Sequence, residues 1–236
     1  MTIERRALFM KLVLVRNCET VWSEEEKFMG WTDIPLSSKG IEHAHTIGKK
    51  LKSLNIPFGI AYTSVLKRTE ETLKYIKEEL KVDIKTRSSY KLNAKHYGSL
   101  EGMSKSEVEQ KTSKEQIMKW RRGYDIKPPE LQITDQRFPG NDPKYADILK
   151  FELPLSESLK DVDERATDYF EREISTFLKV DENVLIVAHG SVIRSIVKRI
   201  EEISADEMCS LQIENGQIIV YDLDDNLKPI NKKIVD

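Results

Sequence analysis

The sequence predicts a three-layer α/β sandwich, in which helices cover both faces of a mostly parallel central sheet. Short runs of apolar and β-branched residues alternate along the chain with segments of helical periodicity. Two of the runs, at residues 12–15 and 183–188, are apolar almost throughout, which is typical of strands buried on both faces. With 236 residues, 39% of them hydrophobic, the chain can bury one large core, so we expect one domain over residues 1–236.

The first half of the chain is predicted to hold three strands, at residues 11–15, 60–62 and 83–86. A loop through Gly30 and Pro35 leads from the first strand to a helix over residues 38–54, which begins at a pair of serines suited to its N-cap. Ser64 is a candidate N-cap for the next helix, whose apolar residues fall on one face at helical spacing: Leu66, Leu73, Ile76 and Leu80. Two short helices are expected within residues 104–122.

The second half begins with residues 125–155, which contain five of the eight prolines. This composition predicts a long ordered loop, a lid or insertion, rather than a linker to another domain. We then expect a helix over 158–178, a strand over 183–188, a helix over 190–200 and a short helix after the capping box of Ser204 and Glu207. Residues 210–214 and 217–223, joined by Asn215-Gly216, predict a terminal β-hairpin.

Composition excludes several classes of protein. The net charge of −2 predicts no general attraction to nucleic acid or to an anionic membrane, so any anion site must be a local cluster of cations. Two cysteines and four histidines predict neither a disulfide framework nor a metal cage. No apolar run is long enough to span a membrane, and Lys11 and Arg16 interrupt the N-terminal apolar residues, after which no signal-peptide cleavage site follows. We expect a cytoplasmic protein.

Two predicted strands end in residues that can bind an anion. Arg16 follows the first strand and His189 follows the strand at 183–188, and the carboxyl ends of parallel strands face one crevice. The helix that starts after Gly190 adds amide donors, and Arg68 lies in the first turns of another helix. Arg16, Arg68 and His189 would together form a phosphate cradle. The alternative is that Arg68 is a solvated helix residue and His189 an ordinary strand-end histidine.

Five segments resemble the cofactor-dependent phosphoglycerate mutases of the histidine phosphatase superfamily, and the resemblance as a whole runs in order over about residues 11–229. They are GWTDIPLSSKG (30–40), AYTSVLKRTEETL (61–73), HYGSLEGMSKSE (96–107), WRRGYDIKPPEL (120–131) and AHGSVIR (188–194). The third and fourth indicate the mutase branch of the superfamily rather than its simple phosphatases. The resemblance implies a phosphoglycerate mutase-like fold and an isomerase of glycolysis, which interconverts 3- and 2-phosphoglycerate through a phosphohistidine. It also implies 2,3-bisphosphoglycerate as the priming cofactor, and no metal.

The resemblance assigns the phosphate-binding core to Arg16, Arg68 and His189. It implies that phosphoglycerates, or other small phosphate esters, contact a larger set of residues: Arg16, Asn17, Thr20, Ser23, Met29, Gly30, Arg68, Tyr97, Lys105, Arg121, Arg122, His189, Gly190 and Ser191. Among the replacements of usual family residues, Ser23 and Ser191 stand for asparagines and Lys27 stands for an arginine. Family members commonly form dimers or tetramers, so we expect a homo-oligomer, such as a dimer, or a pair with an active paralogue.

The departures from the family pattern fall at the catalytic positions. Asn17 replaces the histidine that accepts phosphate, and an amide nitrogen, whose lone pair is delocalised, cannot form a phosphoramidate. Ala94, in LNAKHYG, replaces the glutamate that exchanges protons in the family's LNERHYG. Cys18 replaces a glycine behind the nucleophile. The sequence also stops at Asp236 without the longer polar tail that covers the site in such mutases.

Three hypotheses follow from these departures. Under the first, the chain binds phosphate esters without turning them over, and 2,3-bisphosphoglycerate does not phosphorylate it. The alternative is a vestigial pocket whose arginines serve only the fold. A second hypothesis is residual mutase or phosphatase activity through His189 or Cys18, whose thiol pKa we expect Arg16 to lower. The third is a non-catalytic role as a partner or regulator of an active mutase.

Overall fold

The computed structural model describes residues 10–180 and 182–235. They contain a six-stranded sheet in the order β3-β2-β4-β1-β5-β6. The strands are β1 (Met10–Arg16), β2 (Phe58–Thr63), β3 (Lys85–Ser88), β4 (Asn183–Ala188), β5 (Ile218–Leu223) and β6 (Pro229–Val235). The first four are parallel to one another, whereas β5 pairs antiparallel with β1 and β6 pairs antiparallel with β5. The prediction of a mostly parallel central sheet is confirmed.

The α-helices are α1 (Ser38–Ser53), α2 (Lys67–Leu80), α3 (Lys105–Glu109), α4 (Lys114–Arg122), α5 (Leu159–Tyr169), α6 (Ser175–Leu178), α7 (Gly190–Glu201) and α8 (Ala205–Ser210). The predicted helix over 158–178 is interrupted by one π-helical turn, Phe170–Ile174, between α5 and α6. Ser204 and Glu207 form the predicted capping box at the start of α8. No helix in the described ranges is both long and apolar enough to cross a bilayer.

The three layers follow from the alternation of side chains along β1. Leu12 and Leu14 pack on one face of the sheet, in a core that includes residues of α5 and α7. Val13 and Val15 pack on the other face, against residues of α1 and α2. Since all four side chains are fully buried, both faces of the strand must be apolar, which explains its uninterrupted hydrophobic run.

The predicted terminal hairpin is wrong in its first strand. Residues 211–214 form no strand, because arginines use their backbone carbonyls: Arg194 donates to Leu211 and Arg16 donates to Ile213. β5 instead forms its hairpin with β6, which follows it along the chain. Most side chains of β6 are exposed, so the strand lacks the apolar pattern by which buried strands are predicted.

Two smaller differences lie near the carboxyl ends of β2 and β3. The third strand was predicted at residues 83–86 and is found at Lys85–Ser88. Ser64 does not occupy the N-cap of α2, which is Leu66. The Ser64 hydroxyl accepts a hydrogen bond from the Leu66 amide two residues later, and it also contacts His189. Ser64 therefore joins the turn after β2 to the candidate site.

The proline-rich segment 125–155 is ordered by short 3₁₀ turns and by a small apolar cluster. Phe138, Tyr145 and Leu153 are buried together with Trp31, which belongs to the loop after β1. The Tyr145 hydroxyl also accepts a hydrogen bond from Asn93. The segment is therefore packed as part of one wall of the molecule, and its action as a lid stays a prediction.

Candidate functional site

The candidate site lies where β1 and β4 end side by side. Arg16 pairs in register with Ala188, and the amide of Asn17 donates to the Ala188 carbonyl at 2.9 Å. Arg16, Asn17 and His189 are therefore brought to one edge of the sheet, as the parallel arrangement predicts. A cavity of about 640 Å³ opens at this edge.

All the predicted ligand-contacting residues except Thr20 line this cavity. Thr20 is fully buried behind the wall, where it contacts Ser23 and the Met29 sulfur. Ala94 and Lys27 also line the cavity. The other lining residues were not predicted: Glu19, Trp22, Glu26, Phe28, His43, Lys95, Leu159, Arg194, Glu214 and Asn215.

Arg16 is held at the base of the cavity by backbone atoms. Its Nη1 donates to the Ile213 carbonyl, while its buried Nε has no acceptor in the described part of the chain. The guanidinium packs against Gly190, where a Cβ would lie 3.4 Å from Nε. Burial lowers the pKa of Arg16, and Glu214 opposes that effect. An unpaired buried N–H is costly, and an oxygen of a bound anion would supply the acceptor.

Asn17 occupies the position beside Arg16. Its side chain is 6% exposed, and Nδ2 donates to the carbonyl of the next residue, Cys18, at 2.9 Å. The amide is therefore oriented by the backbone at the edge of the cavity. It can exchange hydrogen bonds with a ligand, but it offers no nucleophilic lone pair.

His189 lies at the end of β4, opposite Asn17. Its Nε2 is 2.9 Å from the Ser64 hydroxyl, which is itself 2.6 Å from the Thr69 hydroxyl. Burial, together with the charges of Arg68, Arg165 and Arg16, lowers the pKa of His189 well below its usual value of 6.5. The imidazole is therefore neutral at physiological pH, and Nδ1 is the nitrogen left for a ligand.

Arg68 and Glu101 together fix the loop that forms one wall of the cavity. Arg68 donates to the carbonyls of Gly30, at 2.6 Å, and of Thr32, at 3.1 Å. Glu101 accepts from the amides of Trp31 and Thr32, and its carboxylate fills the space where a side chain at Gly30 would lie. Gly30 has φ +54°, so glycine is required there for two reasons. Burial lowers the pKa of Arg68 to about 10, and the negative charge of Glu101 opposes this.

A second group of cations lines the cavity near the end of α4. Arg122 donates to the Leu211 carbonyl at 3.0 Å, and Arg194, one turn into α7, donates to the same oxygen at 2.9 Å. The side chain of Arg121 makes one hydrogen bond within the described residues, to the Met118 sulfur at 4.0 Å. Arg194 could have been predicted, because a residue four positions after Gly190 faces the same side of the helix.

Cys18 points away from the cavity into the core. It is fully buried among apolar residues that pack beneath α1 and α2. Burial raises the pKa of its thiol to about 12, despite a hydrogen bond with Thr72 that acts in the opposite direction. The expectation that Arg16 lowers this pKa is therefore wrong, because desolvation dominates and Arg16 is not among the groups that shift it.

Three carboxylates line the cavity, those of Glu19, Glu26 and Glu214, and position 94 carries no carboxylate. Glu26 pairs with Lys105 at the rim. The Ala94 methyl group contributes no acid or base, and its backbone carbonyl accepts from Trp31 Nε1 and from Arg165. The position is thus fixed by its backbone, while its side chain is inert.

This chain matches one protein family and is similar in fold to several solved structures. The profile of the histidine phosphatase superfamily (branch 1) matches residues 12–233. A phosphoglycerate mutase from Bacillus anthracis str. Sterne is 24% identical, with 90% of this chain and 88% of that chain covered and a TM-score of 0.66. A putative α-ribazole-5′-P phosphatase from Escherichia coli is 18% identical, with 96% and 95% covered and a TM-score of 0.72. Mycobacterial glucosyl-3-phosphoglycerate phosphatase, in a complex with VO3, is 16% identical, with 96% and 98% covered and a TM-score of 0.71.

Proposed function

The chain belongs to the histidine phosphatase superfamily (branch 1), and we propose that it binds small phosphate esters of the phosphoglycerate class without turning them over. The family reaction needs a histidine that accepts phosphate and a group that exchanges protons. This chain has Asn17 and Ala94 at those two positions. We therefore infer that phosphate binding is retained while turnover is lost.

Asn17 is the observation that carries the proposal. It lies next to Arg16 at the end of β1 and on the cavity lining, where a phosphate held by the cradle would meet it. An amide there can hydrogen-bond to phosphate but cannot take it up covalently. Loss of a nucleophile in subtilisin costs on the order of 10⁶ in rate, and we expect a loss of comparable size here.

Glu101 packs against Gly30 behind the cavity wall, and its surroundings argue against a role as the missing acid–base group. Its two oxygens accept hydrogen bonds from the amides of Trp31, Thr32 and Tyr97. Oxygens that already accept several hydrogen bonds from the chain have little capacity left for a ligand. We infer that Glu101 supports the wall and does not exchange protons with a ligand.

Electrostatics supports retained binding. Arg16, Arg68 and Arg121 face the cavity, and none of them forms an ion pair within the described residues. Each charge-assisted hydrogen bond to a phosphate contributes about 1.5–3 kcal/mol. Replacement of the family's glutamate by Ala94 also removes a negative charge that would repel the ligand.

A coupled mutase assay and isothermal calorimetry on the same preparation test the proposal. We expect measurable heats with 3-phosphoglycerate and with inorganic phosphate, and no turnover above background. Absence of binding to both ligands would reject retained binding. Turnover, or a stable phosphoprotein after incubation with 2,3-bisphosphoglycerate, would instead support a residual activity through His189.

The role as a partner of an active mutase remains a separate proposal. Its test is co-purification with an active paralogue, followed by measurement of that enzyme's rate with and without this chain. A monomer at micromolar concentration that leaves the paralogue's rate unchanged would count against it.

A further inference from the structure

Lys95 is a buried amine on the wall of the phosphate cavity. Its side chain is 1% exposed, yet the residue lines the cavity beside Ala94. Its backbone amide donates to the Ser191 hydroxyl at 3.2 Å, in the first turn of α7. The main chain of Lys95 is therefore anchored to the helix whose N-terminus faces the phosphate cradle.

Burial acts against the charge of the amine, while its contacts with the Trp120 carbonyl and the Tyr97 ring suit an ammonium group. Nζ donates to the Trp120 carbonyl and lies 5.3 Å from the centre of the Tyr97 ring, and no ion pair joins it to a carboxylate in the described ranges. Burial lowers the pKa of Lys95 to about 8; Arg121 adds to this effect, while Glu157, Asp161 and Cys209 oppose it. Roughly a tenth of the amine is then unprotonated at pH 7.

The identity of the residue matters as much as its burial. In the family motif LNERHYG an arginine precedes the histidine, and an arginine stays protonated and cannot act as an amine nucleophile. The lysine in LNAKHYG can lose its proton. Position 94, the neighbour of Lys95 in the sequence, carries alanine in place of the glutamate of that motif. The lysine at position 95 therefore provides a buried amine that can react.

We propose that Lys95 captures a small phosphorylated aldehyde as an imine. This inference rests on the proposed binding of phosphate esters, since the arginines of the cavity would hold the phosphate while the aldehyde carbon meets Nζ. The neutral amine offers its lone pair, and the Trp120 carbonyl can still accept an N–H from it.

The step balances without a further reactant. The Nζ lone pair forms a bond to the carbonyl carbon, and the π electrons of the carbonyl move to its oxygen. Proton transfer from nitrogen to that oxygen gives a carbinolamine. A solvent proton on its hydroxyl lets the oxygen leave as water, and the remaining N–H proton returns to solvent as the C=N bond forms. The product is a C=N bond between Lys95 and the former aldehyde carbon. No group is oxidised or reduced.

Reductive trapping tests the inference on the whole chain. The protein is incubated with glyceraldehyde 3-phosphate and sodium cyanoborohydride, and the modified lysines are mapped by peptide mass spectrometry. We expect the Lys95 peptide to gain the mass of the aldehyde less one oxygen. Unphosphorylated glyceraldehyde should label Lys95 at least about 10-fold less, since loss of even one charge-assisted hydrogen bond to the phosphate has an effect of this size.

Two variants and one competitor make the result specific. Lys95→Arg keeps the positive charge and should abolish the adduct, whereas Lys52→Arg, at an exposed position of α1 outside the cavity lining, should leave labelling of Lys95 unchanged. Excess 3-phosphoglycerate should protect Lys95 in the wild-type protein, so the test does not depend on the folding of a variant.

The outcomes separate this inference from the proposed function. Calorimetric binding of 3-phosphoglycerate with no adduct at Lys95 would overturn the inference and leave the proposed function intact. An adduct that excess 3-phosphoglycerate does not reduce would overturn the phosphorylated class of ligand. Failure of 3-phosphoglycerate to bind wild-type protein would count against the proposed function itself.

Discussion

The Ser64 hydroxyl lies 2.9 Å from Nε2 of His189 and so joins the carboxyl ends of two adjacent parallel strands, β2 and β4. The same oxygen accepts a hydrogen bond from the Leu66 amide and contacts the Thr69 hydroxyl at the start of α2. One serine therefore sets both the orientation of the imidazole and the entry of the helix that carries Arg68.

Replacement of this serine should weaken the fold and the site together. Ser64→Ala leaves a buried imidazole nitrogen and an amide without their partner, so we expect the free energy of unfolding to fall by about 1–3 kcal/mol. Phosphate affinity should fall roughly fivefold, or about 1 kcal/mol, as His189 loses its orientation. Urea unfolding and calorimetry measure the two effects. Ser53→Ala, at an exposed serine, should change stability by less than about 0.5 kcal/mol. Equal effects of the two variants would contradict the assigned role.

Stability should depend on pH through His189. Because its pKa in the folded protein is below 6.5, the unfolded chain binds more protons between the two values. Its contribution to stability is thus fully present above pH 6.5 and is lost as pH falls toward the folded pKa, by up to about 1.4 kcal/mol per pH unit. His189→Gln should flatten this dependence in urea unfolding at several pH values. His43→Gln should flatten it less, since His43, whose pKa is also lowered, is only half-buried. An unchanged slope in His189→Gln would reject this assignment.

Arg121 and Arg68 should contribute to binding in different ways. The Arg121 side chain hydrogen-bonds only to the Met118 sulfur within the described residues, so Arg121→Ala should lower affinity for 3-phosphoglycerate about 10-fold, or about 1.4 kcal/mol, with little change in Tm. Arg68→Ala should abolish binding and also lower Tm, because it releases the loop carbonyls and leaves Glu101 without its countercharge. Calorimetry and thermal melting separate the two. A loss of Tm in Arg121→Ala would show that this arginine is structural.

Restoring both catalytic groups should restore some turnover. Asn17→His with Ala94→Glu returns a phosphate acceptor and a proton-exchanging group to positions that already line the cavity. We expect mutase activity in a coupled assay and an acid-labile phosphoprotein after priming with 2,3-bisphosphoglycerate. The matched control is Asn17→Gln with Ala94→Gln, which has similar bulk without the chemistry. Activity in the control, or in the unaltered protein, would contradict the assigned cause of inactivity.

The Cys18 thiol should be unreactive toward alkylating reagents in the folded protein. Its thiol is buried in the core and its pKa is raised to about 12, so little thiolate forms near neutral pH. Iodoacetamide should modify Cys209, which is only partly buried, before Cys18, and Cys18 should react only after urea unfolding. Rapid labelling of Cys18 under native conditions would revive it as a candidate nucleophile.

The buried part of the fold could be predicted because apolar burial leaves a pattern in the sequence. The strand β4 has the predicted bounds, since every residue after Asn183 is buried. The strand β6 was missed because exposed positions tolerate lysines, which break that pattern. Residues 211–214 resembled a strand, yet three arginines from distant segments take up their carbonyls, and no local pattern records such contacts.

The candidate site was predictable where strand ends determine position, as for Arg16 and His189. The direction in which a side chain points was harder to predict. Cys18, two residues after Arg16, faces the core, so that desolvation rather than charge sets its pKa. Lys95 was missed because a lysine beside an alanine carries no visible signal until the fold buries it.

The contacts of Arg16, Arg122 and Arg194 with the carbonyls of residues 209–213 have a broader consequence. A backbone oxygen can orient a guanidinium without neutralising its charge, whereas a carboxylate would both orient the guanidinium and neutralise its charge. The cavity thus retains most of its positive potential before any ligand arrives, and this potential does not depend on the residue at position 17. On the proposed function, different side chains serve anion binding and chemistry even where they are neighbours, as Arg16 and Asn17 are, so loss of one role need not remove the other.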